Sequence, residues 1–193
     1  MSTSVLFLFI VLTLSACNPE NTENTNKTTP SRSTINTITP AKGVSQYSLT
    51  YKEKVLNLRD WDSNINLGQI LGRPLKQSIR VLGEGADTHR GSVIKTLSYN
   101  GLTIELFSPR PDVQRFWILS METSSRIYST GNGIKAGSTV KEIETAYPTI
   151  QIALDGRTDS SNCAYILSED NNNLRIEVVN GIAKLIRIYY EIP

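Results

Sequence analysis

Histidine and cysteine are nearly missing from this 193-residue chain, which has one histidine, His89, and two cysteines, Cys17 and Cys163. A zinc site draws several ligands from these residue types, so one is close to excluded. A charge excess of one sign is missing too. Lys plus Arg number 20 and Asp plus Glu 18, a formal net charge of +2. That balance offers nothing to nucleic acid or to an anionic membrane surface, and no block of like charges forms a steering tail. No apolar run reaches the length of about 20 residues that a membrane-spanning helix needs.

The longest apolar run, Val5–Leu14, has the length of the central region of a secretory signal, although no Lys or Arg precedes it. It runs into Leu14-Ser15-Ala16-Cys17, which resembles a bacterial lipobox. The resemblance implies cleavage after residue 16 and acyl chains such as palmitate on Cys17. Each buried CH₂ contributes about 0.8 kcal/mol to anchoring. Asn18 follows in place of an Asp that would imply inner-membrane retention. The same resemblance therefore implies the outer membrane, facing the periplasm, if the organism is Gram-negative. With Cys17 modified, Cys163 has no partner for an internal disulfide. It precedes the apolar Ala164–Leu167 and reads as a small core residue, the sharper alternative being a reactive or intermolecular thiol.

Residues 18–45 are nearly all Asn, Thr, Ser, Pro and Glu. Such a composition cannot bury enough surface to offset its conformational entropy, so it reads as a disordered tether with a span of about 30 Å. Hydrophobic patterning begins near Tyr47, which places the folded domain at 46–193. Tyr47–Leu58 alternates and then slips phase before Val55, a lead-in strand with a short helix as the alternative.

The rest divides into units at about 67–130 and 131–193. In the first, Gly72-Arg73-Pro74 opens a predicted helix. Leu75, Ile79 and Leu82 share one face of it, and Gly83 ends it. In the second, Thr139 and Glu142 fit a capping box; Val140, Ile143 and Tyr147 share a face before Pro148. After each helix the period changes to two. Val93–Tyr99 and Leu102–Phe107 flank Asn100-Gly101, and Leu174–Val179 and Ile182–Glu191 flank Asn180-Gly181, strong hairpin signals. Phe116–Thr123 and Ala164–Ser168 complete two three-stranded meanders. The expected fold is α+β: two helix–three-stranded-meander units forming one antiparallel sheet, with both helices on one face.

Gly133–Ile143, and more weakly Gly72–Gly83, resemble the Gly-x-x-x-(Val/Ile) helix-and-meander repeats of bacterial secreted lipoproteins. That class includes β-lactamase-inhibitory-protein-like domains and the small lipoprotein of the outer-membrane β-barrel assembly machinery. The resemblance implies a protein that acts by binding other proteins and uses no cofactor. It assigns no binding residue to this chain.

Three groups of residues are candidates for sites. Asp87 and His89 in a Gly-rich stretch suggest acid–base chemistry, yet no nucleophile is tied to them, and a solvated connection between helix and hairpin explains them. Ser168–Asn173 is rich in acids and amides but lacks the pattern of a calcium loop and reads as a turn. Trp61, Trp117, Tyr128, Tyr189 and Tyr190 form either core or a binding face. Phe116-Trp117-Ile118 is apolar on both faces of its strand, so either both faces are covered or one takes a partner.

The expected function is a membrane-anchored envelope lipoprotein that binds another envelope protein, with no catalytic residue, metal or cofactor. An immunity or enzyme-inhibitor protein shares the same fold. A small secreted hydrolase using Asp87 and His89 is the rival of another class.

Overall fold

Tight turns set the strand boundaries. Lys52 and Glu53 take left-handed backbone angles, φ 45° and 64°, and fold β1 (Ser48–Tyr51) onto β2 (Lys54–Asn57). The phase slip within Tyr47–Leu58 is this turn. A further two-residue turn at Asn180-Gly181, φ 52° and 73°, joins β10 (Asn172–Val179) to β11 (Ile182–Tyr190), as the sequence predicts. Asp170-Asn171, φ 47° and 64°, links β9 (Ala164–Glu169) to β10, so the Ser168–Asn173 cluster is a hairpin turn. Asn100-Gly101 closes β4 (Val93–Tyr99) onto β5 (Leu102–Ser108). A Cβ on Gly101 would lie 2.6 Å from that of Ser125, so a side chain is excluded there on space as well as on φ.

The computed structural model describes residues 44–112 and 115–193. The expected signal, Cys17 and all but the end of the tether lie outside the described residues. The described chain is mostly antiparallel sheet with few helices. An eight-stranded sheet has the order β3-β4-β5-β6-β11-β10-β9-β8, where β3 is Lys76–Val81, β6 Trp117–Thr123 and β8 Gln151–Ile152. A three-stranded sheet has the order β2-β1-β7, with β7 at Ser129–Thr130. The two meanders, β4-β5-β6 and β9-β10-β11, meet through their last strands, where Thr123 lies opposite Ile186 and Met121 opposite Ile188.

One face of the large sheet carries the main core. Leu97, Ile104, Met121, Ile176 and Ile188 pack in one cluster with Leu49 and Leu56 of the first hairpin. Leu67 of α1 (Leu67–Leu71) and Ile143 of α2 (Val140–Ala146) join the same cluster, so both helices contribute to one core. Alternation places Leu102, Ile104 and Leu106 inward with Glu105 on the opposite face. Leu174, Ile176, Val178 and Glu177 repeat that arrangement. The opposite face has its own smaller cluster, in which Ile94, Phe107 and Leu119 meet Trp117, Tyr190, Leu82 and Ile192. Phe116 and Ile118 sit in the main core, so both faces of this strand are covered by the chain itself.

Helix α2 follows its sequence signals. Glu142 N–H donates to the Thr139 hydroxyl at 3.3 Å, and Thr139 N–H donates to the Glu142 carboxylate at 2.6 Å, closing the capping box. Ile143 is fully buried and Tyr147 nearly so. The helix predicted over Gly72–Gly83 is not there. A five-residue helix, α1, ends at Gly72, whose φ of 79° suits glycine, and the chain beyond is the strand β3. Ladder pairing with β4 wins over the helical spacing. Leu75 N–H donates to Ser98 O and Leu82 N–H to Ser92 O, both at 2.8 Å, and β3 satisfies its inward backbone groups this way. Leu75, Ile79 and Val81 are left exposed, where a helix face would have buried Leu75 and Ile79.

These two placements give opposite mutational expectations. Ile143→Ala should cost about 2–5 kcal/mol, the range for emptying a buried aliphatic site. Ile79→Ala should stay within about 0.5 kcal/mol, as surface substitutions do. Urea unfolding of both variants measures the difference; a large cost at Ile79 would restore the buried helix face.

Candidate functional site

The unequal cover of the core face creates a concave feature. Helix α1 is short, capped by the Asn66 side chain accepting from Gln69 N–H at 3.0 Å, and it stops before reaching β3. Below it opens a groove of about 520 Å³, walled by the loop Asp62–Asn66 and floored by Gln77, Lys95, Leu97 and Leu106. The wall is anchored to β6. Asp62 N–H donates to Phe116 O at 2.7 Å, and Phe116 N–H donates back to the Asp62 carboxylate at 3.1 Å.

Lys95 is the unusual residue of this floor, because it occupies a core-facing position of β4. Its Nζ lies 4.1 Å from the centroid of the Phe116 ring, a cation–π contact that partly replaces the water it has lost. Ion pairs among the described residues use Arg90, Arg157 and Arg175, so Lys95 has no carboxylate partner there. Ile79 is its cross-strand neighbour on β3. Beyond Ile79 the sheet ends.

That edge is the second half of the site. β3 is six residues long and exposed throughout, whereas the other edge, β8, has two residues. Unpaired edges are commonly shortened or covered, since they present open N–H and C=O groups. Among the described residues only the cations Lys76 and Arg80 protect β3. From Arg73 to Gly83 there is no Asp or Glu.

A charged cluster lies away from this groove. The Asp155 carboxylate accepts from Arg157 at 2.6 Å and from Arg175 at 2.9 Å, and Glu177 accepts from Arg157 at 2.9 Å and from Arg175 at 2.8 Å. Hydrogen bonds from Arg157 hold the Asp155 carboxyl well below the usual range. Desolvation pushes Glu177 up, but the two arginines outweigh it and its carboxyl also ends below the usual range. Both cations and both anions are matched within the ring. It clamps the loop after β8 to β10 and leaves no net charge for a ligand.

The other residues weighed from sequence do not converge. Asp87 and His89 lie in a 3-10 turn, Glu84–His89, between β3 and β4, a link between strands where the sequence suggested one between helix and hairpin. His89 Nε2 is 2.9 Å from a main-chain oxygen of Pro193, and its ring meets Phe107 edge-on at 5.9 Å. The nearby Ser92 hydroxyl donates to Pro109 O instead. Cys163 is fully buried, with its thiol pushed up by burial, and is the small core residue that the sequence suggests. Tyr128 is core; Trp61 stacks under Arg115 and Tyr189 under Arg187. Among the described residues no three His, Cys, Asp or Glu side chains converge as a metal site would need. Sequence reading missed the groove and the edge, although Ile79-Arg80-Val81 carries a period of two and Arg73–Gly83 carries cations only. Comparison with family models, curated proteins and solved structures finds no match to this chain.

The Asp155–Glu177 ring should show itself in pH dependence. Carboxyls held below their unfolded value stabilise the fold above that value, and the gain is lost as pH falls through the folded value. Asp155→Asn should therefore lower the Tm at pH 7, and its difference from wild type should shrink below about pH 4. A difference independent of pH would show that the ring does not hold the loop.

Proposed function

We propose that this chain is a lipid-anchored envelope protein whose folded unit binds another protein along β3 and the groove beside it. The observation that carries the reading is the open edge of β3. Six exposed residues, of which Gln77, Ile79 and Val81 turn their backbone groups away from β4, with apolar side chains at Ile79 and Val81, form a template for pairing with another chain. The anchor part rests on the run Val5–Leu14 and Cys17 in the sequence, and residues 18–45 supply a tether that would let the domain reach a partner. Outer-membrane placement facing the periplasm follows from the same lipobox resemblance.

The domain is also read as two copies of one unit, in a form different from the sequence expectation. Support comes from the way each half begins. Trp61 bridges to Trp117 at the start of β6, and Thr139 bridges to Ile182 at the start of β11. Each bridging segment then leads to a capped helix, an edge strand and a meander. In this reading β3 and β8 are equivalent edges, and only the first has been lengthened into a binding strand.

Two measurements test the proposal. With Cys17→Ser the protein should move from the membrane fraction to the soluble fraction; persistent membrane association removes the anchor. A photo-reactive side chain placed at Gln77 in intact envelopes should give a defined protein adduct, and one at the exposed Lys141 of α2 should not. No adduct at Gln77, or the same adducts at both positions, would remove β3 as the binding edge.

A further inference from the structure

The chemistry of the edge narrows what can occupy it. Hydrogen-bonded and non-bonded pairs alternate along an antiparallel ladder. Leu82 N–H donates to Ser92 O, so in this register Ser78 and Arg80 turn their backbone groups toward β4. Gln77, Ile79 and Val81 therefore turn theirs outward, where they meet no strand among the described residues. A strand added here would put alternate side chains on two faces. One set would lie over the groove, beside Gln77, Ile79, Val81 and the unpaired Lys95. The other set would lie beside Lys76, Ser78 and Arg80. Opposite charges across a strand pair attract and like charges repel.

We infer that β3 accepts an extended acidic segment of a partner protein as a ninth strand, its apolar residues facing Ile79 and Val81 and its carboxylates facing Lys76 and Arg80. A carboxylate on the groove side would reach toward Lys95. This inference rests on the reading of β3 as the binding edge and adds the chemistry of its partner. A second copy of the chain fits poorly, because it would bring another Lys76 and Arg80 to the same seam. A lipid surface supplies anions but no alternating N–H and C=O groups to complete the ladder of Gln77, Ile79 and Val81.

Fluorescence anisotropy with short labelled peptides and the full-length protein tests this. A peptide of alternating glutamate and valine should bind saturably, and the lysine–valine counterpart should not. Lys76→Glu combined with Arg80→Glu should reverse that preference. Ile79→Pro removes an outward N–H without taking a bond from the ladder to β4, since proline is tolerated at such edge positions. It should weaken the acidic peptide by about tenfold or more, one decade in Kd. Should Ile79→Pro unfold the chain by circular dichroism, backbone N-methylation of the peptide makes the same cut from the other side and should weaken binding equally. The inference fails if neither peptide binds, if both bind alike, or if the backbone blocks change nothing. It also fails if the protein prefers phosphatidylglycerol vesicles through Lys76 and Arg80, or if it dimerises through β3. Adducts at Gln77 in envelopes alongside failed peptide binding would leave the binding edge in place and remove only its acidic partner.

Discussion

The pairing of β6 with β11 is the contact on which the rest of the fold depends. A lone three-stranded meander would leave both of its outer strands open as edges. Joining two of them edge to edge makes one continuous sheet and one core, with Ile104 and Met121 from one side packed in the same cluster as Ile176 and Ile188 from the other. The seam also consumes two edges that would otherwise lie open. β6 and β11 end the two meanders in sequence, yet they lie at the centre of the sheet, and the first strands of each half are pushed to its margins.

From that arrangement the asymmetry of the margins follows. β8 is cut to two residues, a short edge of the kind that discourages further pairing. β3 keeps six residues, with aliphatic side chains exposed and cations as its only guard. The helices differ in the same sense. Helix α2 is capped on both sides of its first turn and sinks Ile143 fully into the core, whereas α1 lasts five residues and leaves Lys95 and Leu97 at the floor of a groove. A long open strand and a shallow groove therefore share one corner of the molecule. In the ring of Asp155, Arg157, Arg175 and Glu177, by contrast, charge is matched locally.

Legibility of the sequence varied with the range of the forces involved. The Asn-Gly hairpins and the Thr139–Glu142 capping box are local; their residues carry their own geometric reasons, and the strands and α2 fall where those residues put them. Leu75, Ile79 and Leu82 satisfy a helical spacing, while Ile79-Arg80-Val81 satisfies a strand, and nothing within the segment chooses between them. The choice is made by Ser98 of β4 and by Ser92 just before it, whose carbonyls accept from Leu75 and Leu82. The candidate site escaped the sequence for the same reason. Lys95 becomes unusual only when its strand face is known, and β3 becomes an edge only when the strand order is known.

By itself the sequence determined the hairpin turns, the antiparallel meanders and the inward set of aliphatic residues. Each of these depends on residues close together in the chain, through alternation or turn geometry. Tertiary structure alone decided which way the meanders join, that 76–81 is a strand, and that among the described residues this strand is an edge beside a lysine with no carboxylate partner. Those outcomes depend on long-range backbone pairing, where one segment's hydrogen-bond partners lie on another segment, and no local spacing records them.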